Sequence, residues 1–259
     1  MSKQLVIFLD IDGTILSRNG IPPANIEAIR RVREMGHLVF INTGRSYACI
    51  PWAAFESMEF DGVVSGIGSD VRYHDEVLND VCLSKDQIRR VCDHYLATDK
   101  ICVLEGQKRL YYINLKNHED KIHIKSSDEI DKLYPDCKIS KVTVLGSVSE
   151  SDAEMLKDDF FYISHERYYE FGLKGCSKSV GMKIVLDRLG IPRENCIAIG
   201  DSDNDVDMLS FAGISIAMGN APDSIKQICD YVTDNVDNAG VAAALERFVL
   251  KEYEYSHSA

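Results

Sequence analysis

The chain has 259 residues, 45% of them hydrophobic, and a formal net charge of −12. That is enough for one large domain or two small ones with a sizeable buried core. The acidic balance excludes nucleic acid and anionic membrane surfaces as partners, because both need a basic face, yet an anionic substrate held by a few local donors remains compatible with it.

Residues 5 to 9 read Leu-Val-Ile-Phe-Leu, the pattern of a strand buried on both faces of a parallel sheet. The run stops at Asp10, which places an acid at the carboxyl edge of the sheet, where open α/β sheets bind ligands. Asp12 follows two positions on, Gly13 permits a tight turn, and Thr14 adds a hydroxyl. Two acids this close imply a cation or a shared proton, and oxygen-only ligands favour a hard ion, most simply Mg²⁺. An EF-hand counted from Asp10 would need Gly and Glu where Ile15 and Ile21 stand. A plain turn remains open for this stretch alone.

Pro22-Pro23 open a helix carrying Ile26, Ile29 and Val32, and Gly36 closes it. Residues 37–41 form a second buried strand ending at Asn42-Thr43-Gly44-Arg45, and a helix strained by Pro51 is expected from Ser46. A third strand at 61–65 gives β-α-β-α-β and hence a parallel sheet. Asp70 to Leu78 reads as a hairpin or flap. Ser84 with Gln87 makes a capping box for a helix to about Ala97. Strands are expected at 101–104, 110–115, 141–145, 160–163 and 168–171, with helices near Asp128 and after Ser149. From Ser177 the βα alternation returns, with strands at 196–199, 214–217 and 231–232 and a last helix from Asn238 to about Val249. The predicted fold is α/β: a Rossmann-like core built from residues 1–82 and 173–259, with residues 83–172 inserted as a smaller α/β cap.

Eight cysteines stand at 49, 82, 92, 102, 137, 176, 196 and 229, and none shows C-x-x-C spacing. Zinc and dithiol redox motifs are therefore unsupported, and free thiols in a reducing compartment are expected. The first apolar run is too short for a signal peptide or for the roughly 20 residues of a membrane span, so the expected location is the cytoplasm.

Four loops at strand ends carry chemistry: Asp10 with Asp12, Thr43-Gly44-Arg45, Lys178 at a helix start, and Gly200-Asp201-Ser-Asp203-Asn204-Asp205. Singly each has a bland reading. A lone Lys is usually a solvated surface residue. The acids from Asp201 fail as a calcium loop because Val206 and Ala212 occupy the Gly and Glu positions. In this order, however, the four stretches resemble the signature motifs of the haloacid dehalogenase superfamily of phosphatases. The stretch Gly200 to Leu209, with an insertion between the second and third motifs, resembles its Cof-type sugar-phosphatase branch.

The resemblance implies a Mg²⁺-dependent phosphatase acting on a small phosphorylated metabolite, foremost a sugar phosphate, as a monomer or weak homo-oligomer. Asp10 would be the nucleophile that forms an aspartyl-phosphate. Asp12 would be the general acid and base. Mg²⁺ would be held by Asp10, the Asp12 carbonyl and Asp201, with Asp205 fixing a metal-bound water. Thr43, Gly44, Lys178 and Asn204 would bind the phosphoryl group, Asp203 would be solvated, and the insertion would be a mobile lid that chooses the substrate. One departure is Ile67, at a position where the family often carries Asn. A phosphomutase or phosphotransferase of the superfamily remains an alternative, as does a phosphate-accepting signalling module, which lacks Asp-x-Asp-Gly-Thr and is about half as long.

Overall fold

The structure, a computed structural model, describes residues 3–251, so the polar C-terminal tail, expected to fray, lies outside it. The described residues form two compact units. The first contains the residues up to Gly44, then Pro51–Asn79, then those from Ser177 on; the second contains Arg45–Ile50 and Asp80–Cys176.

The first unit is built on β1 (Val6–Leu9), β2 (Leu38–Asn42), β3 (Gly62–Ser65), β4 (Asp70–Tyr73), β5 (Glu76–Asp80), β12 (Cys196–Gly200), β13 (Ile214–Ala217) and β14 (Tyr231–Val232), in the sheet order β14-β13-β12-β1-β2-β3-β4-β5. The strands from β14 to β3 are parallel, and β4 returns antiparallel to β3. Central β1 is wholly buried, with Val6 opposite both Leu38 and Cys196. Val6 and Phe8 pack with Met182 and Val185 of α5 (Lys178–Leu189), Met208 and Leu209 of α6 (Val206–Phe211) and Ile225 of α7 (Asp223–Ile228). Meanwhile α1 (Pro23–Glu34) packs on β2 and on α8 (Gly240–Leu245). Each buried residue of β1 contributes about 1.5–3 kcal/mol, so the strand that carries Asp10 is among the most firmly held in the unit.

Two expected helices differ. The segment after Ser46 forms only short 3₁₀ turns, Tyr47–Cys49 and Trp52–Phe55. Between them Ile50 is extended (φ −68°, ψ 129°), because the residue before a proline avoids the helical region. The last helix starts at Gly240, two residues later than Asn238. Ala239 stands in the left-handed region at φ 57°, and the helix ends in a π-helical turn, Glu246–Leu250.

The second unit carries β6 (Cys102–Gly106), β7 (Leu110–Ile113), β8 (Ile122–His123), β9 (Ile139–Leu145), β10 (Phe160–Ser164) and β11 (Tyr168–Leu173), in the order β10-β11-β9-β6-β7-β8. All pairings are antiparallel except β7 with β8. The short strand β8 has too few residues to show a period in the sequence. Cys102, Leu104, Val142, Val144, Tyr169 and Phe171 form a core with α2 (Lys85–Leu96), α3 (Ser127–Leu133) and α4 (Glu150–Leu156). The capping box of Ser84 and Gln87 is formed at the start of α2. No helix of the described residues is long and apolar enough to cross a membrane.

Candidate active site

Asp10 follows β1 directly, and its amide donates to the Ile199 carbonyl of β12 at 3.1 Å. The two strands thus end level and bring Asp10 beside the loop from Asp201. Gly13, at φ 81°, makes the turn that follows Asp10. A Cβ at that position would lie 2.3 Å from Asp201 Oδ2, so only glycine fits. Thr14 is buried and donates to Asp201 Oδ1 at 3.2 Å.

Lys178 arrives from α5. Ser177 caps that helix by accepting the Val180 amide. Gly181 lets the helix approach β3, since a Cβ there would sit 2.3 Å from Val64 Cγ1; Gly68 does the same against the Ser177 carbonyl, at 1.9 Å. Pressed in this way, Lys178 is 0% exposed, in contrast to the solvated position most lysines occupy. Its ammonium donates to Asp10 Oδ1 at 2.7 Å, Asp205 Oδ1 at 2.5 Å and Asn204 Oδ1 at 3.3 Å. The turn before Gly68 makes the departure at Ile67 a strained one. That residue is held at φ 56°, a left-handed conformation that Asn adopts more readily than a β-branched side chain.

Asp205 is fully buried, and its Oδ2 accepts the amides of Asp201 at 2.9 Å and Ser202 at 3.0 Å. It therefore ties Lys178 to the loop that presents Asp201. Thr43 and Gly44 are buried at the end of β2, and the Thr43 amide donates to the Val64 carbonyl at 2.9 Å. Asp12 and Asp203 are exposed. Asn220 was not singled out from the sequence. It lies three residues beyond β13, at the same sheet edge; its Nδ2 donates to the Gly13 carbonyl at 2.9 Å and to Asp201 Oδ2 at 3.3 Å. The signal for it was available, because a Gly-Asn pair follows the end of a buried parallel strand.

Carboxylate oxygens of Asp10, Asp201 and Asp205 lie within 4.8 Å of one another. Burial lifts the Asp10 carboxyl to about 8, opposed by Lys178 and reinforced by Asp205 and Asp201. Burial likewise lifts Asp201 to about 6, with Asp205 adding to the rise and the Thr14 hydroxyl opposing it. Burial would lower Lys178, but Asp10 and Asp205 outweigh it and hold the ammonium charged. Ionised together, three acids against one ammonium would leave an excess of negative charge, and a divalent cation would relieve it. The donors are all oxygens, which fits a hard ion. Asp205 is fully buried, with one oxygen on the Lys178 ammonium and the other on two backbone amides, whereas Asp201 is only partly buried and its donors are two neutral side chains, so Asp10 and Asp201 are the carboxylates best placed to hold it.

Comparison with known proteins shows the family. A family model described as haloacid dehalogenase-like hydrolase matches residues 7–245. A relative from Bacillus subtilis (strain 168), 5-amino-6-(5-phospho-D-ribitylamino)uracil phosphatase YitU, is 30% identical, with 97% of this chain and 98% of the relative covered. A phosphoglycolate phosphatase of Methanobrevibacter smithii is 28% identical, covering 94% and 98%. Among solved structures, a hypothetical protein from Geobacillus kaustophilus HTA426 superposes with a TM-score of 0.81 at 26% identity over 94% of this chain and 98% of that one. A haloalkanoate-superfamily phosphatase from Bacteroides thetaiotaomicron shares the fold, with a TM-score of 0.81 at 24% identity over 95% of each chain. With its acids, lysine and glycine turn on the edge of a parallel sheet and its family match running through both core segments, the chain belongs to the haloacid dehalogenase-like hydrolases.

Proposed function

We propose that this haloacid dehalogenase-like phosphatase hydrolyses phosphate monoesters of small, hydroxyl-rich metabolites, sugar phosphates foremost, through an aspartyl-phosphate on Asp10, with Mg²⁺ as its cofactor. One observation carries the reading: a buried ammonium, Lys178, is held between Asp10 and Asp205, with Asp201 alongside, at the sheet edge.

Asp10, the Asp12 carbonyl and Asp201 would hold Mg²⁺. When bound, the ion supplies neutralisation of phosphoryl charge, without which a carboxylate attacks phosphorus poorly. Lys178, steadied by Asp205, adds positive charge beside the Asp10 oxygen that attacks. Thr43, the Gly44 amide and Asn204 supply donors for the phosphoryl oxygens as charge develops. As the bond from phosphorus to the leaving oxygen breaks, exposed Asp12 gives that oxygen its proton. Asp12 then takes a proton from the water that attacks the aspartyl-phosphate, which frees Asp10 and inorganic phosphate. We assign the choice of substrate to the inserted segment, because the core motifs provide groups for a phosphoryl unit and almost none for a leaving group. Two curated relatives are named as phosphatases of a ribitylamino compound and of phosphoglycolate, which supports small monoesters as the substrate class. The acidic net charge and free thiols fit a cytoplasmic setting.

The test is phosphate release from p-nitrophenyl phosphate and a panel of phosphorylated sugars and polyols, with and without Mg²⁺. Many turnovers per chain are expected, and Asp10→Asn should lower kcat by on the order of 10⁴ or more while the fold is kept. Activity of that variant within tenfold of the parent would remove Asp10 from the nucleophile's role.

A further inference from the structure

We propose that Asn220 is a positioning residue: it fixes the plane of the Asp201 carboxylate and so sets how selectively the acidic cluster takes Mg²⁺. The inference rests on the metal centre proposed above. Asn220 uses its whole amide. Nδ2 has two hydrogens and lies 2.9 Å from the Gly13 carbonyl and 3.3 Å from Asp201 Oδ2; Oδ1 accepts the Val236 amide at 2.9 Å. One side chain thereby joins the turn after β1, the loop after β12 and the segment after β14. Asp201 is gripped from two sides, since Thr14 takes Oδ1 while Asn220 takes Oδ2. Both donors are neutral. They orient the carboxylate without competing for charge, as supporting hydrogen bonds do for metal-binding groups elsewhere. Gly13 closes the arrangement, because the Asp201 carboxylate fills the space where a Cβ would stand.

A carboxylate fixed in this way matters more for one ion than for another. Mg²⁺ demands a near-ideal octahedron at short distances, whereas Ca²⁺ accepts six to eight oxygens in variable geometry. Freeing Asp201 to swing should therefore weaken Mg²⁺ far more than Ca²⁺.

The experiment is calorimetric titration of the full chain with MgCl₂ and, separately, with CaCl₂. The variants are Asn220→Ala, Asn220→Asp and Asp201→Asn, each checked by the melting temperature of the metal-free protein. Asp201→Asn should abolish Mg²⁺ binding; if it does not, the metal centre itself is misassigned and the proposal falls with it. With that control in hand, Asn220→Ala should bind Mg²⁺ about tenfold more weakly. Its Ca²⁺ affinity should stay within about threefold of the parent. Mg²⁺ affinity within about twofold of the parent, or equal losses for both ions with a lowered melting temperature, would overturn the positioning role. Asn220→Asp keeps the acceptor for Val236 and loses both donors. It should show the same fall in Mg²⁺-over-Ca²⁺ preference, and recovery of the parent's preference would mean that anchoring Val236 is all Asn220 does.

Discussion

Each unit buries one lysine between two carboxylates, and the two clusters differ in what surrounds them. In the first unit Lys178 joins Asp10 and Asp205, with Asp201 close by as a third acid. In the second unit Lys141 of β9 pairs with Glu170 of β11 and lies 3.8 Å from Glu105 of β6. Thr143 donates to Glu105 Oε1 at 2.5 Å, and the Cys49 thiol to Oε2 at 3.4 Å. Lys141 stays charged because the two glutamates outweigh the effect of its burial. Its partners sit on the two strands that flank β9 in one sheet, so the backbone ladder fixes the geometry. Around Lys178 the groups come from loops at strand ends and a helix start, and negative charge is in excess. The lesson is that a buried ion pair needs its surroundings to be interpreted. Held by a ladder it reads as structural; held by loops at a sheet edge, with an acid to spare, it suits the cation and the anion proposed above.

Removing each lysine should break the likeness. Lys178→Met is expected to lower kcat by on the order of 10²–10³, the effect of losing one well-placed electrostatic donor. Steady-state phosphate release measures it, and unchanged kinetics would return Lys178 to a purely structural role. Lys141→Met should instead destabilise the fold by about 3–5 kcal/mol, because it leaves two buried glutamates without their counter-charge. Urea unfolding reads this directly. A loss below about 1 kcal/mol would show that water or side-chain rearrangement satisfies Glu105 and Glu170, and the cluster would no longer count as structural.

The two clusters also differ in how well the sequence reveals them. Asp10, Asp12 and the acids from Asp201 are legible because each follows an unbroken apolar strand, and a carboxylate is out of place there unless it has a task. Lys178 was legible only through its place among the other motifs, since nothing local says that the glycines at 68 and 181 press its helix into the core. Lys141 and Thr143 stand in a stretch legible only as a strand. Their partners at 105 and 170 are distant in sequence and become neighbours only through the order β11-β9-β6. Asn220 is marked in the sequence only by the Gly-Asn pair after a buried strand, because its three hydrogen bonds run to other loops. The helix expected after Ser46 is broken by Pro51, which keeps Ile50 out of the helical region.

Gly13 offers a smaller perturbation confined to the first cluster. Gly13→Ala puts a methyl against Asp201 Oδ2 and forces an L-residue to hold φ 81°. The expected result is a 10–100-fold loss of apparent Mg²⁺ affinity, the usual size for disturbing a ligand's support, with about 1 kcal/mol of added strain. The check is the Mg²⁺ dependence of phosphate release alongside urea unfolding. A variant with the parent's Mg²⁺ dependence would show that Asp201 can move aside at no cost to the site.

The finest comparison makes one change in both places. Thr14 donates to Asp201 at 3.2 Å, and Thr143 donates to Glu105 at 2.5 Å. Thr→Val keeps the shape and removes the hydroxyl, so each variant deletes one hydrogen bond to a carboxylate, a change of about 1–2 kcal/mol. The two should differ in where that change appears. In Thr143→Val it should appear as lost stability, equal with and without Mg²⁺, because Glu105 is not among the acids proposed to hold the ion. In Thr14→Val the metal-free protein should lose less, since releasing Asp201 also relieves part of its repulsion with Asp205. The remainder should appear as a smaller stabilisation by added Mg²⁺, read from melting temperatures across a Mg²⁺ titration. If both variants respond to Mg²⁺ as the parent does, the Thr14 hydroxyl is packing rather than support, and the contrast between the clusters narrows to their lysines.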